Sequence, residues 1–492
     1  MSIKKIFLLI IFAELLSFLG HYYQPVNFIA FFAIAVLALA LTLYRPRYGL
    51  FILLTELIIG SFGYLFYFET GGFKISWRIA LWLIVMSVWL AKATLNIIKT
   101  KKINILFFKS DYANYFLILF IFIFWGAVSG LLNGNSINNI FFDFNNWLYF
   151  LLVFPIFELT RDQKFINGIK LIFIAAISWL SLKTLILAYF FTHNFNFFTL
   201  DLYRWVRDSG AGEITPVVTG FSRVFMQSQL FILIGFFILL FYLLNHINKP
   251  NTKNKMLDAK CLTLTTLFLS AIIISFSRSF WVGLAAGGLF VWLTTIFKLK
   301  IKFKQFLKFN SFIFISIILG LALSAAVIKF PFPAPPAGLD APGALSERAT
   351  KLTGEAGASS RWQLLAPLGE KIKTAPVIGR GFGATVTYKS SDPRVIQSSP
   401  GGLYTTYAFE WGWLDVWLKL GILGPLAYSA LLIKLIIDGV KANNYLSSAL
   451  AAGLFVLAAV NVFSPYINHP LGIGYLIVAA ALMENFKKTA PP

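Results

Sequence analysis

Apolar residues run along this chain in long blocks, separated by short polar and mostly basic segments. Each block is about 17 to 25 residues long, the length a helix needs to cross roughly 30 Å of hydrocarbon. The pattern predicts about fourteen spans: 4–20, 26–43, 48–67, 77–95, 112–132, 141–159, 164–191, 223–245, 261–277, 279–296, 309–328, 411–436, 447–463 and 471–486. The number falls to twelve or thirteen if 141–159, which carries Asp143, or an arm of the tight pair 261–296 does not cross. Barrel strands would be shorter and would alternate apolar with polar positions. The expected fold is therefore an all-α integral membrane bundle of about 12–14 helices.

The blocks divide the chain into three regions. Residues 1–328 form an N-terminal bundle of about eleven helices, 329–410 a large polar loop, and 411–492 the C-terminal helices. The loop opens with KFPFPAPPAGLDAPGALSERATKLTGEAGASS, whose Pro, Gly and Ala content reads as a flexible lid or linker. Its second part is more ordered. Ser359 or Ser360 can cap a helix over 361–373, Pro376 stops it, and the glycines of VIGRGFGAT make a tight turn. Two other segments share the loop's side: 192–222, with aromatics and two arginines, and the short turn SPYINHP at 464–470.

Composition excludes a soluble protein, because 58% of residues are hydrophobic and the mean hydropathy is +0.76. Charge sets the orientation. Lys and Arg gather in the loops holding Lys4 and Lys5, Arg45 and Arg47, Lys99 to Lys109, Arg161 and Lys164, Lys249 to Lys260, Lys298 to Lys308, and Lys487 and Lys488. These loops belong in the cytoplasm, with both termini, and the large loop then faces outward. The net charge of +22 is largely this signal, aided by attraction to anionic membrane lipids. The basic residues are scattered over many loops, so no nucleic-acid partner is expected. The first segment runs straight into a second span and lacks a small-residue cleavage site, so it is expected to remain as a helix. A single cysteine, Cys261, allows no intramolecular disulfide, and four dispersed histidines suggest no metal centre.

Three arginines then stand out. Arg278 sits between two apolar stretches in IISFSRSFWVGL, Arg361 opens the helix of the large loop, and Arg223 starts an apolar run in GFSRVFMQSQ. A cation at the mouth of a span is costly unless it reaches water or an anion. One reading of each is a boundary residue that snorkels. The other is a cationic site for phosphate, strengthened at Arg361 by a helix N-terminus and by Gly379, Gly381 and Gly383, which let a backbone approach a ligand closely. Glu410, where the loop meets the next span, is either an interfacial carboxylate or a general base. Glu14, Glu56, Asp143 and Lys183 fall within spans, where Glu14 or Glu56 could pair with Lys183. Asp415, Lys419 and Lys434 carry the same ambiguity as Glu410. Arg204, Arg207, Trp362, Tyr404 and Tyr407 are candidates for contacts to a glycan, although Trp and Tyr also anchor at interfaces.

The order of these pieces resembles a known family. A hairpin with SRSFW, then SSRWQLLAPLGEKIKTAPVIGRGFG in an outer loop, then WLDVWLKLGILG, looks like the O-antigen ligase and O-antigen polymerase superfamily of bacterial membrane glycosyltransferases. The resemblance covers about 265–440. That family carries an arginine hairpin, an arginine followed by a tryptophan and a glycine turn, and a His-Asn pair leading into a span that ends Gly-x-x-Gly. The resemblance implies transfer of a glycan from undecaprenyl diphosphate to an acceptor hydroxyl, without a cofactor. The acceptor is a lipid A–core sugar in ligases, another lipid-linked glycan in polymerases, and a protein in O-oligosaccharyltransferases. It assigns Arg278 and Arg361 to the diphosphate; Arg223 joins them by location alone. The chain departs at the histidine. Counting back from Gly421 puts Glu410 in its place and Trp411 in place of the asparagine. The base is then Glu410, His469 in the outer turn, or another group. A ligase-like enzyme is the leading expectation, and a lipid-linked-glycan transporter is the rival from another class.

Overall fold

The computed structural model describes residues 2–71, 73–193, 195, 198–218, 221–248, 255–299, 301–333, 356–391, 393–442 and 444–489. Of the expected lid or linker at 329–360, residues 334–355 lie outside them. Among the described residues, ten helices are long and apolar enough to cross a membrane. The chain is a multi-pass helical membrane protein.

Helices α1 (Ile3–Tyr22), α2 (Gln24–Tyr44) and α3 (Pro46–Ile59) lead into a hairpin of β1 (Tyr67–Thr70) and β2 (Phe73–Ser76). Helices α4 (Trp77–Thr100) and α5 (Ala113–Leu132) follow, then α6 (Ile137–Trp147), a 3-10 turn at Leu148–Leu152, and α7 (Val153–Leu159). Next come α8 (Gln163–Thr192), α9 (Thr199–Asp208), the hairpin of β3 (Glu213–Val218) and β4 (Phe221–Phe225), and α10 (Gln229–Asn248). Helices α11 (Lys255–Ser275), α12 (Arg278–Leu293) and α13 (Phe303–Ile328) precede the large loop. The loop contains α14 (Ala356–Lys373), β5 (Val386–Lys389), α15 (Pro393–Ser398) and β6 (Leu403–Thr406), with β5 and β6 antiparallel. Helices α16 (Gly412–Leu420), α17 (Leu423–Lys441), α18 (Tyr445–Val460) and α19 (Pro470–Thr489) close the chain.

Three expected spans differ, and a fourth, 141–159, lies within a candidate span, Ile137–Leu159, that is irregular inside. Block 48–67 is helical only to Ile59, and the chain then turns through Gly60 to Gly63 into the β1–β2 hairpin. Block 141–159 is helical but broken by the 3-10 turn. Block 223–245 begins as strand, so Arg223 lies on β4 and the helix starts at Gln229. Block 411–436 is two helices, because Gly421 adopts φ 70° and a Cβ there would stand 1.9 Å from the Val377 carbonyl oxygen. Hydropathy could not report these breaks, since apolar residues suit a broken helix as well as a straight one.

Buried charges are paired, as a low-dielectric interior demands. Lys183 pairs with Glu14 at 2.8 Å, so Glu14 and not Glu56 is its partner. Glu56 holds Arg78 through two hydrogen bonds of 2.9 and 3.0 Å, and Arg78 also donates to the Ser61 carbonyl at 2.6 Å.

The glycine turn of the loop has a role the sequence reading did not assign. Gly379, Gly381 and Gly383 all have φ between 74° and 76°. Their backbone inserts against α5 and α6 instead of cradling a ligand. Phe382 N–H donates to the Gly126 carbonyl at 2.8 Å, and Asn135 Nδ2 donates to the carbonyls of Arg380 and Phe382. A Cβ on Gly381 would lie 1.9 Å from the Gly130 nitrogen. Gly381→Ala combines that clash with an unfavourable φ. It is expected to undock the loop, seen as faster proteolysis within 356–410 while the apolar helices stay protected.

Candidate functional site

The loop is held over the bundle by a small core of its own. Leu364, Leu368 and Ile372 recur along one side of α14 and pack with Ala384, Val386, Phe409 and Leu418. Trp411 Nε1 donates to the Arg361 carbonyl at 2.9 Å, and Trp417 Nε1 to the Pro376 carbonyl at 2.9 Å. These contacts carry α14 to the start of α16 and bring Arg361 beside Glu410.

Beneath them lies a polar cavity of about 440 Å³. Arg223, Arg278, Arg361, Glu410, His469 and Tyr407 all line it, although they come from distant parts of the sequence. Each arginine arrives on a different support. Arg223 stands on β4, opposite Thr215, with its guanidinium 4.0 Å from Glu213. Arg278 is the first residue of α12, after a two-residue connection from α11. Ser277, Arg278 and Ser279 all line the cavity, so α12 begins at its wall, where a helix N-terminus favours an anion. Arg361 projects from α14, and its Nε donates to Glu410. Partial burial, then the nearby positive charges of Arg223 and Arg278, push the Arg361 guanidinium below its ordinary value, while Glu213 opposes them. The three cations are therefore electrostatic neighbours.

Arg361 does not open its helix. Helix α14 starts at Ala356, which places Arg361 in the second turn and removes the expected help from a helix N-terminus. Ser360 does not cap it either; its hydroxyl bonds that of Ser390 at 2.8 Å and accepts from the Ser391 N–H at 3.0 Å. That helix N-terminus exists instead at Arg278.

Another part of the cavity lining is a buried network of Asp143, Asp415 and Lys419, which sequence reasoning left unresolved. Lys419 Nζ sits 2.7 Å from Asp143 and 2.6 Å from Asp415. Gly383 N–H donates to Asp143 at 3.0 Å, and Asn468 Nδ2 donates to Asp415. The spacing of Asp415 and Lys419, four residues apart on one helix, was the available signal. Asp143 lies 276 positions from Lys419, and no local pattern joins them.

His469 belongs to the cavity, but it is poorly suited to accept a proton. Its Nδ1 accepts from the Leu471 N–H at 3.3 Å, which leaves the proton of the neutral ring on Nε2. Burial, with the charge of Arg78 adding to it, pushes its pKa down to about 3. The ring is neutral in the folded state over the physiological range, whereas an unfolded histidine takes up a proton below about pH 6.5. Stability present above that pH is expected to fall as pH drops toward 3. His469→Gln should flatten this acid limb in unfolding measurements between pH 4 and 7. Tyr407 is raised, by burial first and then by Asp143, and so remains a hydroxyl donor.

Four expected contacts fall elsewhere. Arg204 and Arg207 are exposed on α9, where Arg207 donates to Tyr203 at 3.2 Å. Trp362 packs edge-on against Trp411 at 5.2 Å between centroids, and Tyr404 packs edge-on against Tyr388 on the β5–β6 hairpin. None of the four lines the cavity. Aromatic faces there come instead from residues such as Phe62, Phe142 and Phe463.

The arrangement combines clustered guanidiniums, a solvent-reachable carboxylate and aromatic walls. It suits an organic phosphate with an apolar or sugar substituent. No protein-family model matches the chain, and no curated protein matches it.

Proposed function

We propose that this protein is a membrane glycosyltransferase that moves a glycan from undecaprenyl diphosphate to an acceptor hydroxyl, in the manner of an O-antigen ligase. The observation that carries the reading is the convergence of Arg223, Arg278 and Arg361 with Glu410 around one cavity. The cavity then faces the periplasmic side of the inner membrane, both termini face the cytoplasm, and the positive loops supply that orientation.

In this mechanism the arginines bind the donor diphosphate. The acceptor oxygen forms a bond to the anomeric carbon as the bond from that carbon to the phosphate oxygen breaks. Undecaprenyl diphosphate leaves with the electron pair, and its growing charge is met by the three guanidiniums and the α12 N-terminus. Glu410 takes the proton of the acceptor hydroxyl. Lys419, balanced by Asp143 and Asp415, keeps its part of the lining polar without adding net positive charge.

The test uses protein in nanodiscs with undecaprenyl-diphosphate-linked oligosaccharide and three acceptors: a lipid A–core sugar, a second lipid-linked glycan and a serine-containing peptide. Release of undecaprenyl diphosphate with the first acceptor is expected. Consumption of the second or third would reassign the enzyme as a polymerase or a protein O-oligosaccharyltransferase. Donor binding with no release under any acceptor would favour the transport reading. Glu410→Gln is expected to lower release by about 10²- to 10⁴-fold, the usual contribution of a positioned base, whereas His469→Gln should retain most of it.

A further inference from the structure

Two of the ion pairs at the cavity share an unusual form. In each, the arginine carries a carboxylate that is more open to solvent than itself. Arg223 is 21% exposed and Glu213 62%; Arg361 is 45% exposed and Glu410 48%. All four residues line the same space as Arg278. Within these two pairs, two guanidiniums and two carboxylates sum to zero. A ligand with two negative charges that displaced both carboxylates would leave the same sum.

We infer that Glu213 and Glu410 are tethered stand-ins for a doubly anionic ligand, and that ligand binding expels them. This deepens the reading above and rests on it, because the displaced Glu410 becomes the free base. Before the donor arrives, Glu410 is occupied by Arg361 and is a poor proton acceptor. A diphosphate engages Arg361 through charge-assisted hydrogen bonds that a single carboxylate cannot match in number. Glu410 is then released beside the position the acceptor must take. Donor binding thus arms the base, and the order of addition follows: donor first, acceptor second.

Displacement is inexpensive. Exposed ion pairs contribute little, so each exchange costs the ligand only a small part of its affinity. The exchange nevertheless predicts an inverse effect that an ordinary binding residue would not give. Removing the carboxylate charge should strengthen anion binding.

The probe is farnesyl diphosphate, with farnesol as the uncharged control, titrated into the full chain in nanodiscs. Glu410→Gln and Glu213→Gln are each expected to tighten farnesyl diphosphate binding by about two- to fivefold, the equivalent of a half-exposed ion pair. The double variant should tighten it further, and farnesol binding should not change. Tightening in Glu410→Gln together with lost glycan release supports both the stand-in role and the base. Tightening with release retained supports the stand-in role and removes Glu410 as the base. Unchanged or weaker binding in both single variants would overturn the proposal. Failure of the underlying function looks different: wild type would bind farnesyl diphosphate no better than farnesol.

Discussion

Arg278→Ala is expected to lower undecaprenyl diphosphate release by about 10- to 150-fold, and more than any other single arginine change. Hydrogen bonds to a charged group contribute roughly 1.5–3 kcal/mol, and each 1.36 kcal/mol on a barrier is tenfold in rate. Arg278 ranks first because it combines two effects. It supplies a guanidinium, and it begins α12, whose start also faces the cavity. Arg361→Ala should lie in the same range but toward the lower end, since its side chain is 45% exposed. Arg278→Lys should recover only part of the loss, because an ammonium keeps the charge without the planar fork. Comparing initial rates of release in nanodiscs at matched protein content measures all three. A variant lacking Arg278 that keeps wild-type release would remove the cavity from the chemistry.

Lys419→Met is expected to cost about 3–5 kcal/mol of stability, because it leaves two buried carboxylates without their cation. Lys419 is 1% exposed, Asp415 1% and Asp143 7%. The change severs more than a local pair. Asp143 sits on α6, and its other carboxylate oxygen accepts from Gly383 in the glycine turn. Asp415 sits on α16 and accepts from Asn468 in the turn before α19. One ammonium therefore ties the loop's docking point to two parts of the bundle. The measurement is the thermal unfolding midpoint in a fixed detergent, with Lys419→Met compared against the triple variant carrying Asp143→Asn and Asp415→Asn as well. The triple variant should recover much of the loss, since it buries neutral amides in place of orphan charges. If Lys419→Met unfolds at the wild-type temperature, the network contributes nothing to the fold.

Much of the bundle was readable in the chain. Long apolar blocks must become helices in lipid, because no other element satisfies its own backbone there. The same reasoning made Arg278 and Arg223 conspicuous, since charge at a membrane boundary is expensive. It also picked out Glu410 and His469, and the structure gathers all of them with Arg361 and Tyr407 around one cavity. Other residues meet neighbours that no local pattern names. Glycines with positive φ signal a tight backbone approach but not what is approached; at Gly381 it is Gly130 of α5. Trp362 and Tyr404 each pack edge-on against a neighbouring ring while staying 49% and 43% exposed, outside the cavity lining.

The amino-acid sequence alone determined the class of the protein, the approximate course of its helices and the residue types available for binding an anion. These follow from local composition and from the cost of placing polar groups in hydrocarbon, and neither depends on which helix meets which. Only the tertiary structure decided where α16 ends, that Asp143 shares Lys419 with Asp415, and that Arg223, Arg278 and Arg361 line one cavity. Those outcomes depend on contacts between segments distant in the sequence, 276 positions apart for Asp143 and Lys419, and side-chain packing, not hydropathy, selects among them.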